Sequence, residues 1–276
     1  MEIQGVFSLE QLRDLGYSNK LLKRSLAEGN LRRIDRGWFA TAGADMRVVT
    51  AVQAHCRLGC LSGCAFYGIW VPEYCGLHIV HGAGVEPVKK SSYQVHEYSK
   101  PQPNSAVWPL EDCLEQVVRH HDVETCLIVL ESAIYNGRIS KYMAIEIVEN
   151  CRGRISTKKL QQLHKHLGYA ESGSETRVRL FLQMHRIPVR VQVAISGLGG
   201  RVDLVVGDRL VIECDSQKHH STPEEQLRDR KRDLILRALG YENIRLAYPQ
   251  IWGLEWEETR QHILNEVRKR RHILRK

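Results

Sequence analysis

Asp203, Glu213 and Asp215 lie close in sequence to His219 and His220, on a chain of 276 residues with a formal net charge of +8. Asp203 belongs to the run "RVDLVV", and Glu213 and Asp215 to "RLVIECD". A tight turn at Gly207 and Asp208 joins these two strand-like runs. In a hairpin with its turn there, Asp203 and Glu213 sit side by side at the same end. Glu213 and Asp215 share one face, because strand side chains alternate with period two. Clustered carboxylates repel one another. They stay ionised together when a cation lies among them, and otherwise their pKa values rise. Oxygen ligation favours Mg²⁺ or Mn²⁺. Such an ion lowers the pKa of a bound water and stabilises a phosphate under hydrolytic attack. The histidines just beyond suit acid–base work. Asp203 and Glu213 are therefore candidate metal ligands, with the Cys214 carbonyl as a third. Asp215 and His219 are candidates for orienting or deprotonating water. The competing reading is a polar hairpin whose acids pair with Arg201, Arg209 or the arginines of the next helix.

The elements that must hold these residues follow from the flanking sequence. Ser172 and Glu175 match a capping box, with a helix expected to run to about His185. Glu175 then faces outward near the helix start, where the cap is its ordinary role and catalysis the alternative. "VRVQVAI" reads as a strand, "SGLGG" as a turn, and "RVDLVVG" and "DRLVIECDS" as two further strands. Thr222 and Pro223 open a long amphipathic helix that Gly240 ends. "YENIRLAYPQIW" is another strand, and Glu255 to Arg271 a closing helix. The expected order is α-β-β-β-α-β-α.

"VDLVVGDRLVIECDSQKHH" followed by "LRDRKRDLILRALGYENIRL" resembles the very-short-patch-repair-like branch of the PD-(D/E)XK nuclease superfamily. More closely, it resembles an uncharacterised actinobacterial family with V-D, then E-x-D-G-x-x-H, then D-R-x-R-D. The resemblance covers about Ser172 to Trp252. It implies a metal-dependent DNA endonuclease or nickase with a restriction-endonuclease-like mixed sheet flanked by helices. Under it, Asp203 is the first strand acid, Glu213 the second, His219 the motif histidine and Glu175 the helix acid. Asp229, Arg230, Arg232 and Asp233 form the polar helix face. Asp215 stands where the superfamily usually has its catalytic Lys, and Ser216 where these relatives usually have Gly. Lys218 supplies a nearby positive charge, and with Arg230 and Arg232 it is a candidate phosphate contact.

The N-terminal region reads as two short helices and a small basic hairpin. Ser8 and Gln11 form a capping box before Leu9, Leu12 and Leu15, and Gly16 ends that helix. Ser18 caps a second helix with Leu21, Leu22 and Leu26 at helical spacing, ended by Gly29. "LRRIDRGWFAT" reads as a strand pair turning near Asp35 to Gly37. This pattern resembles a winged helix-turn-helix, and the hairpin is similar to the wing of the AbiEi-type antitoxin domain. Lys20, Lys23, Arg24, Arg32, Arg33 and Arg36 would face phosphate. The alternative function is therefore an antitoxin-like DNA-binding regulator whose nuclease fold is inactive. The other structural reading is a helical module docked on its neighbour.

The sequence pI of about 9.1 favours polyanionic partners, above all duplex DNA. The basic end, Asn265 to Lys276, adds to that balance, although cations also suit a helix C-terminus. The fold class expected overall is mixed α+β or α/β. The expected layout is a winged helix over 1–42, an α/β connecting region over 43–105, a helical region over 106–168 and the nuclease-like domain over 169–276. "KPQPNSAVWPLEDC" reads as a linker and Leu77 to Ser99 as strands around a Gly-rich turn. Two or three helices are expected over about Leu110 to Leu167. No apolar run approaches a membrane span, and "MEIQGVFSLEQL" lacks a signal-peptide core, so a cytoplasmic protein with reduced thiols is expected. A helix expected over Val48 to Tyr67 carries Cys56, Cys60 and Cys64 four residues apart, with Cys75 beyond. Such a row spans about 12 Å. The four are therefore read as buried thiols without a metal.

Overall fold

The computed structural model describes residues 5–215 and 223–273, with the side chains of 223–226 and of Asp229 left aside. The chain divides into two compact units. The first comprises Met1–Asp122 with Ile145–Thr157, and the second Val123–Ala144 with Lys158–Lys276. The stretch 106–168 is thus shared between them.

In the first unit, β1 (Val6–Ser8) leads into α1 (Leu9–Asp14) and α2 (Asn19–Ala27). The Ser8 and Gln11 side chains form the reciprocal capping box, and the Ser18 side chain caps α2. The next strands are β2 (Arg32–Asp35) and β3 (Trp38–Ala40), and the sheet order is β1-β3-β2, all antiparallel. Leu12, Leu31 and Phe39 form the buried centre, with Leu22 and Leu26 against it. Leu15 and Leu21 are exposed instead.

The helix expected over Val48 to Tyr67 is broken. It consists of α3 (Met46–Gln53), the two-residue strand β4 (Arg57–Leu58) and α4 (Cys60–Phe66). The break has a backbone cause. His55 (φ 59°) and Cys60 (φ 48°) both lie in the left-handed region, which a continuous right-handed helix excludes. β5 (Leu77–His81) and β6 (Tyr93–Glu97) pair in parallel, and β4 joins the far side of β5 antiparallel. The proline-bearing segment before α5 (Leu110–His120) packs into this unit. Trp108 is 1% exposed and its indole N–H donates to the Val80 carbonyl at 3.1 Å.

α6 (Val123–Tyr135), α7 (Lys141–Asn150) and α8 (Thr157–His166) complete the helical stretch. The second unit then builds α9 (Gly173–Met184), β7 (Val189–Ile195), β8 (Gly200–Val206), β9 (Leu210–Cys214), α10 (Pro223–Ala238), β10 (Glu242–Leu246), α11 (Tyr248–Trp252) and α12 (Trp256–Arg268). The expected order is observed, with the short α11 added. The sheet order is β10-β9-β8-β7. β10 pairs β9 in parallel across α10, and the other pairs are antiparallel. β9 is buried along its whole length, as a strand covered on both faces must be. Leu204, Val206, Leu210 and Ile212 pack with Val178 of α9, Ile251 of α11 and Ile263 of α12. Val205 and Val211 pack with Leu236 of α10 on the other side. Among the described residues, no helix is long and apolar enough to cross a membrane.

Candidate functional site

The acids meet where the β8–β9 ladder stops. The register pairs Val206 with Leu210, Val205 with Val211 and Leu204 with Ile212, so the next step sets Asp203 beside Glu213. There the side chains take over as acceptors. The Asp203 N–H donates to Glu213 Oε2 at 3.0 Å, and the Cys214 N–H donates to Asp203 Oδ2 at 2.8 Å. Each carboxylate is thereby fixed by the other strand's backbone.

Glu175 closes the cluster from α9. Ser172 is the N-cap; its hydroxyl accepts from the Glu175 N–H at 3.2 Å and donates to Glu175 Oε1 at 2.9 Å. The expectation that Glu175 faces outward is overturned, since the residue is 4% exposed. The cap turns its side chain inward, toward the sheet. Gln192 of β7 bridges the acids: its Nε2 donates to Glu175 Oε2 at 2.8 Å and, more weakly, to Asp203 Oδ1 at 3.4 Å. Gln192 has φ 50°, an uncommon conformation for a residue with a side chain. It was missed in the sequence, where its one signal is an amide amid the apolar residues of "VRVQVAI".

The electrostatics follow from burial. Burial, then the Glu175 carboxylate, push Asp203 up to about 7, against the pull of the Cys214 N–H. Burial also raises Glu175, partly offset by the Gln192, Glu171 and Ser172 hydrogen bonds. The Cys214 thiol is driven well up, by burial first and Asp203 second, and stays protonated. Glu213 is 8% exposed, and Arg232 of α10 reaches it, with Nε and a terminal nitrogen each 3.3 Å from Oε1.

Arg232 therefore grips a strand acid rather than projecting into solvent, and it also donates to the Arg201 carbonyl. Arg201 pairs with Glu171 at 2.7 Å and Arg209 with Glu242 at 2.8 Å. Asp215 is half-buried just beyond β9, its N–H donating to the Leu246 carbonyl at 2.9 Å. Arg230 is exposed on α10. Ser216, Lys218, His219 and His220 lie outside the described residues. In the first unit, Lys20, Lys23, Arg24, Arg32, Arg33 and Arg36 are all exposed on α2, β2 and the turn after it. Arg24 pairs with Glu28 at 2.6 Å, and Arg33 lies over the Phe39 ring at 5.6 Å. Of the four cysteines, Cys56, Cys60 and Cys64 are buried and Cys75 is exposed.

Residues 175–270 match the family model REase_MTES_1575, so the C-terminal domain is restriction-endonuclease-like. The matched span contains Glu175, Asp203, Glu213, Asp215 and Arg232. Two uncharacterised proteins of Mycobacterium tuberculosis, MT2308 of strain CDC 1551 / Oshkosh and Rv2248 of strain ATCC 25618 / H37Rv, are each 33% identical over 132 residues. That alignment covers 46% of this chain and 49% of each relative, so the chain spans about half the length of the curated relatives it matches.

Proposed function

We propose that the chain is a divalent-metal-dependent DNA endonuclease or nickase, a reading that proceeds from the restriction-endonuclease-like character of residues 175–270. The observation that carries it is the meeting of Asp203, Glu213 and Glu175 at the end of the β8–β9 ladder. The donor set is oxygen alone, which fits a hard ion. Asp203 and Glu213, with the Cys214 carbonyl, would hold Mg²⁺ or Mn²⁺. Such an ion supplies charge to polarise the scissile phosphate.

The chain's own residues set the geometry. Glu213 is held between the Asp203 N–H and the Arg232 guanidinium, so its carboxylate is oriented before substrate arrives. Gln192 ties Glu175 to Asp203 and keeps the helix acid beside the strand acids. Asp215 and His219 are the groups proposed to orient the attacking water and take its proton. Exposed Lys20, Lys23, Arg24, Arg32, Arg33 and Arg36 would hold duplex phosphates in a winged-helix manner, and Arg230 and Lys218 are proposed as further phosphate contacts. Arg232 is assigned to Glu213 instead.

A second reading has its own support. The Arg232 guanidinium already pairs with Glu213 at 3.3 Å, supplying positive charge that a metal would otherwise bring, and Asp215 stands in place of the superfamily's usual Lys. An antitoxin-like regulator with an inactive nuclease fold would look the same. A supercoiled-plasmid assay across Mg²⁺, Mn²⁺, Ca²⁺ and chelator separates the two. Nicking with Mg²⁺ or Mn²⁺ that vanishes in chelator and in Glu213→Gln is expected. If the wild type cuts no duplex, mismatched or single-stranded DNA under any of these conditions, the regulator reading replaces the nuclease.

A further inference from the structure

Three imidazoles and a thiol converge in the first unit, far in sequence from the acids. Cys60, His78, His96 and His121 each offer one ligand atom, and these atoms all lie within 4.8 Å of one another. Cys60 opens α4, His78 and His96 lie on the parallel strands β5 and β6, and His121 directly follows α5. The register pairs Val80 with His96, so His96 shares a sheet face with His78, two residues before Val80. His78 Nδ1 lies 3.0 Å from His96 Nε2, and Cys60 Sγ lies 3.2 Å from His121 Nε2. Cys60 and His78 are buried, His96 and His121 half-buried.

We propose that Cys60, His78, His96 and His121 form a tetrahedral transition-metal site whose best-fitting ion is zinc. One thiolate with three imidazoles is a borderline-soft donor set that Zn²⁺ accepts and that Mg²⁺ and Ca²⁺ do not. Zinc bond lengths of about 2.0–2.3 Å place tetrahedral ligand atoms roughly 3.3–3.8 Å apart. The distances here straddle that range, so closing on an ion takes side-chain shifts of order 1 Å, within the reach of small χ rotations. Binding converts the Cys60 thiol to thiolate and releases its proton to water. The imidazoles enter neutral, and nothing is oxidised or reduced.

The delivery of Cys60 argues against a chance grouping of core residues. Its φ of 48° is a strained value for a residue with a Cβ. The strain is held by the buried Gln116, whose Oε1 accepts from the Cys60 N–H at 2.8 Å. Gly59 completes the approach. A Cβ there would come within 2.6 Å of Val80 Cγ2 and 2.7 Å of Gln116 Oε1. His78 is anchored likewise, its backbone N–H donating to the Ser62 hydroxyl at 2.9 Å while the Tyr74 ring stands perpendicular to its imidazole with centroids 5.0 Å apart. A histidine cluster serving packing alone needs neither a thiol among its rings nor a strained residue to deliver one. Four protein ligands leave no open position, so the role is structural: the ion ties α4, the β5–β6 pair and the end of α5 together.

The test uses the full chain, purified under reducing conditions without chelator. About one zinc per chain is expected by elemental analysis. Exchange into Co²⁺ should give the intense visible bands of a tetrahedral site together with thiolate-to-cobalt charge transfer. Cys60→Ser and His78→Gln should lose most of the zinc and the charge-transfer band. Cys64→Ala, which removes another buried thiol, should keep both, as should Glu213→Gln at the oxygen site. The cobalt spectrum of the wild type needs no variant to fold. A reconstituted wild type that takes up no Zn²⁺ or Co²⁺ in dialysis, or that binds cobalt with no thiolate band, overturns the proposal. So does a folded Cys60→Ser, His78→Gln double variant that retains a full equivalent.

Discussion

Asp203 is pushed up to about 7 by burial and by Glu175, and the consequence for stability has a definite sign. A carboxyl with a raised folded pKa is protonated in both states below about pH 4. As pH rises toward 7 the unfolded group ionises and the folded one resists, so stability is lost across that window. In chelator, Asp203→Asn should therefore match the wild type near pH 4 and exceed it at pH 8. The gain there is on the order of 2–4 kcal/mol, from a shift of about three pKa units. Thermal melts at the two pH values measure it, and an equal effect at both would show that Asp203 is not strained by its surroundings. The same variant should lose cleavage by several orders of magnitude, the stability–activity opposition typical of charged sites. His219→Ala should lower the rate by ~10²–10⁴-fold, if its imidazole takes or gives the proton, while leaving metal binding intact. The adjacency of Asp203 and Glu213 was legible because a two-residue period and one turn fix it. The inward course of Glu175 was not, because a cap that closes on its own helix and one that leans on a neighbouring strand share one sequence pattern. Gln192 was hidden for a similar reason: its role depends on a positive φ that no local residue type announces.

The elements show why the two sites differ in legibility. Ser172, Pro223 and Gly240 mark the ends of α9 and α10 through local chemistry, and the strands between them alternate or run apolar, so the order of the second unit could be read. The four residues of the thiol–imidazole group are spread over Cys60 to His121 and converge through the parallel pairing of β5 with β6 and the packing of α4 against α5 and β5. No short spacing encodes them. The continuous helix expected over Val48 to Tyr67 set its cysteines on one row. Its breaks at His55 and Cys60 removed that row and sent Cys60 to the histidines instead. Gly59 is the hinge of that rearrangement. Gly59→Ala should destabilise the first unit by about 1–3 kcal/mol, the usual cost of forcing a methyl into a packed core. Denaturant titration checks this, and a neutral result would mean that Val80, Trp108 and Gln116 yield freely. In the second unit, Ser172→Ala removes the α9 cap and should cost roughly 1 kcal/mol. It should also lower cleavage, because Glu175 loses the hydroxyl that orients it; Ser172→Thr should restore both.

At the scale of the whole chain, the net charge of +8 coexists with a buried acidic cluster, and the proposed function divides these two properties between binding and cutting. The exposed bases of α2, β2 and the turn after it carry the first role in the proposed function, and the acids of the second unit the second. Arg32 and Arg33 offer the cleanest separation. Both are exposed, with Arg32 reaching Met46 Sδ at 3.8 Å and Arg33 lying over the Phe39 ring. Reversing them should thus alter folding by about 0.5 kcal/mol or less, as at other surface positions. If their guanidiniums neutralise phosphates, each lost contact removes a released counterion and flattens the dependence of log K on log salt by about 0.9. Arg32→Glu with Arg33→Glu should then weaken binding to every duplex sequence alike and reduce the slope by roughly two. Cleavage should show a raised KM with kcat largely retained, since the contacts act on bound DNA before and during the reaction equally. Glu213→Gln should show the reverse, with binding kept and turnover lost. Fluorescence anisotropy over a salt series, paired with single-turnover cleavage, reads both quantities from the same proteins. Unchanged affinity and slope in the Arg32→Glu, Arg33→Glu variant would take the N-terminal unit out of DNA binding and leave the restriction-endonuclease-like domain to hold DNA alone.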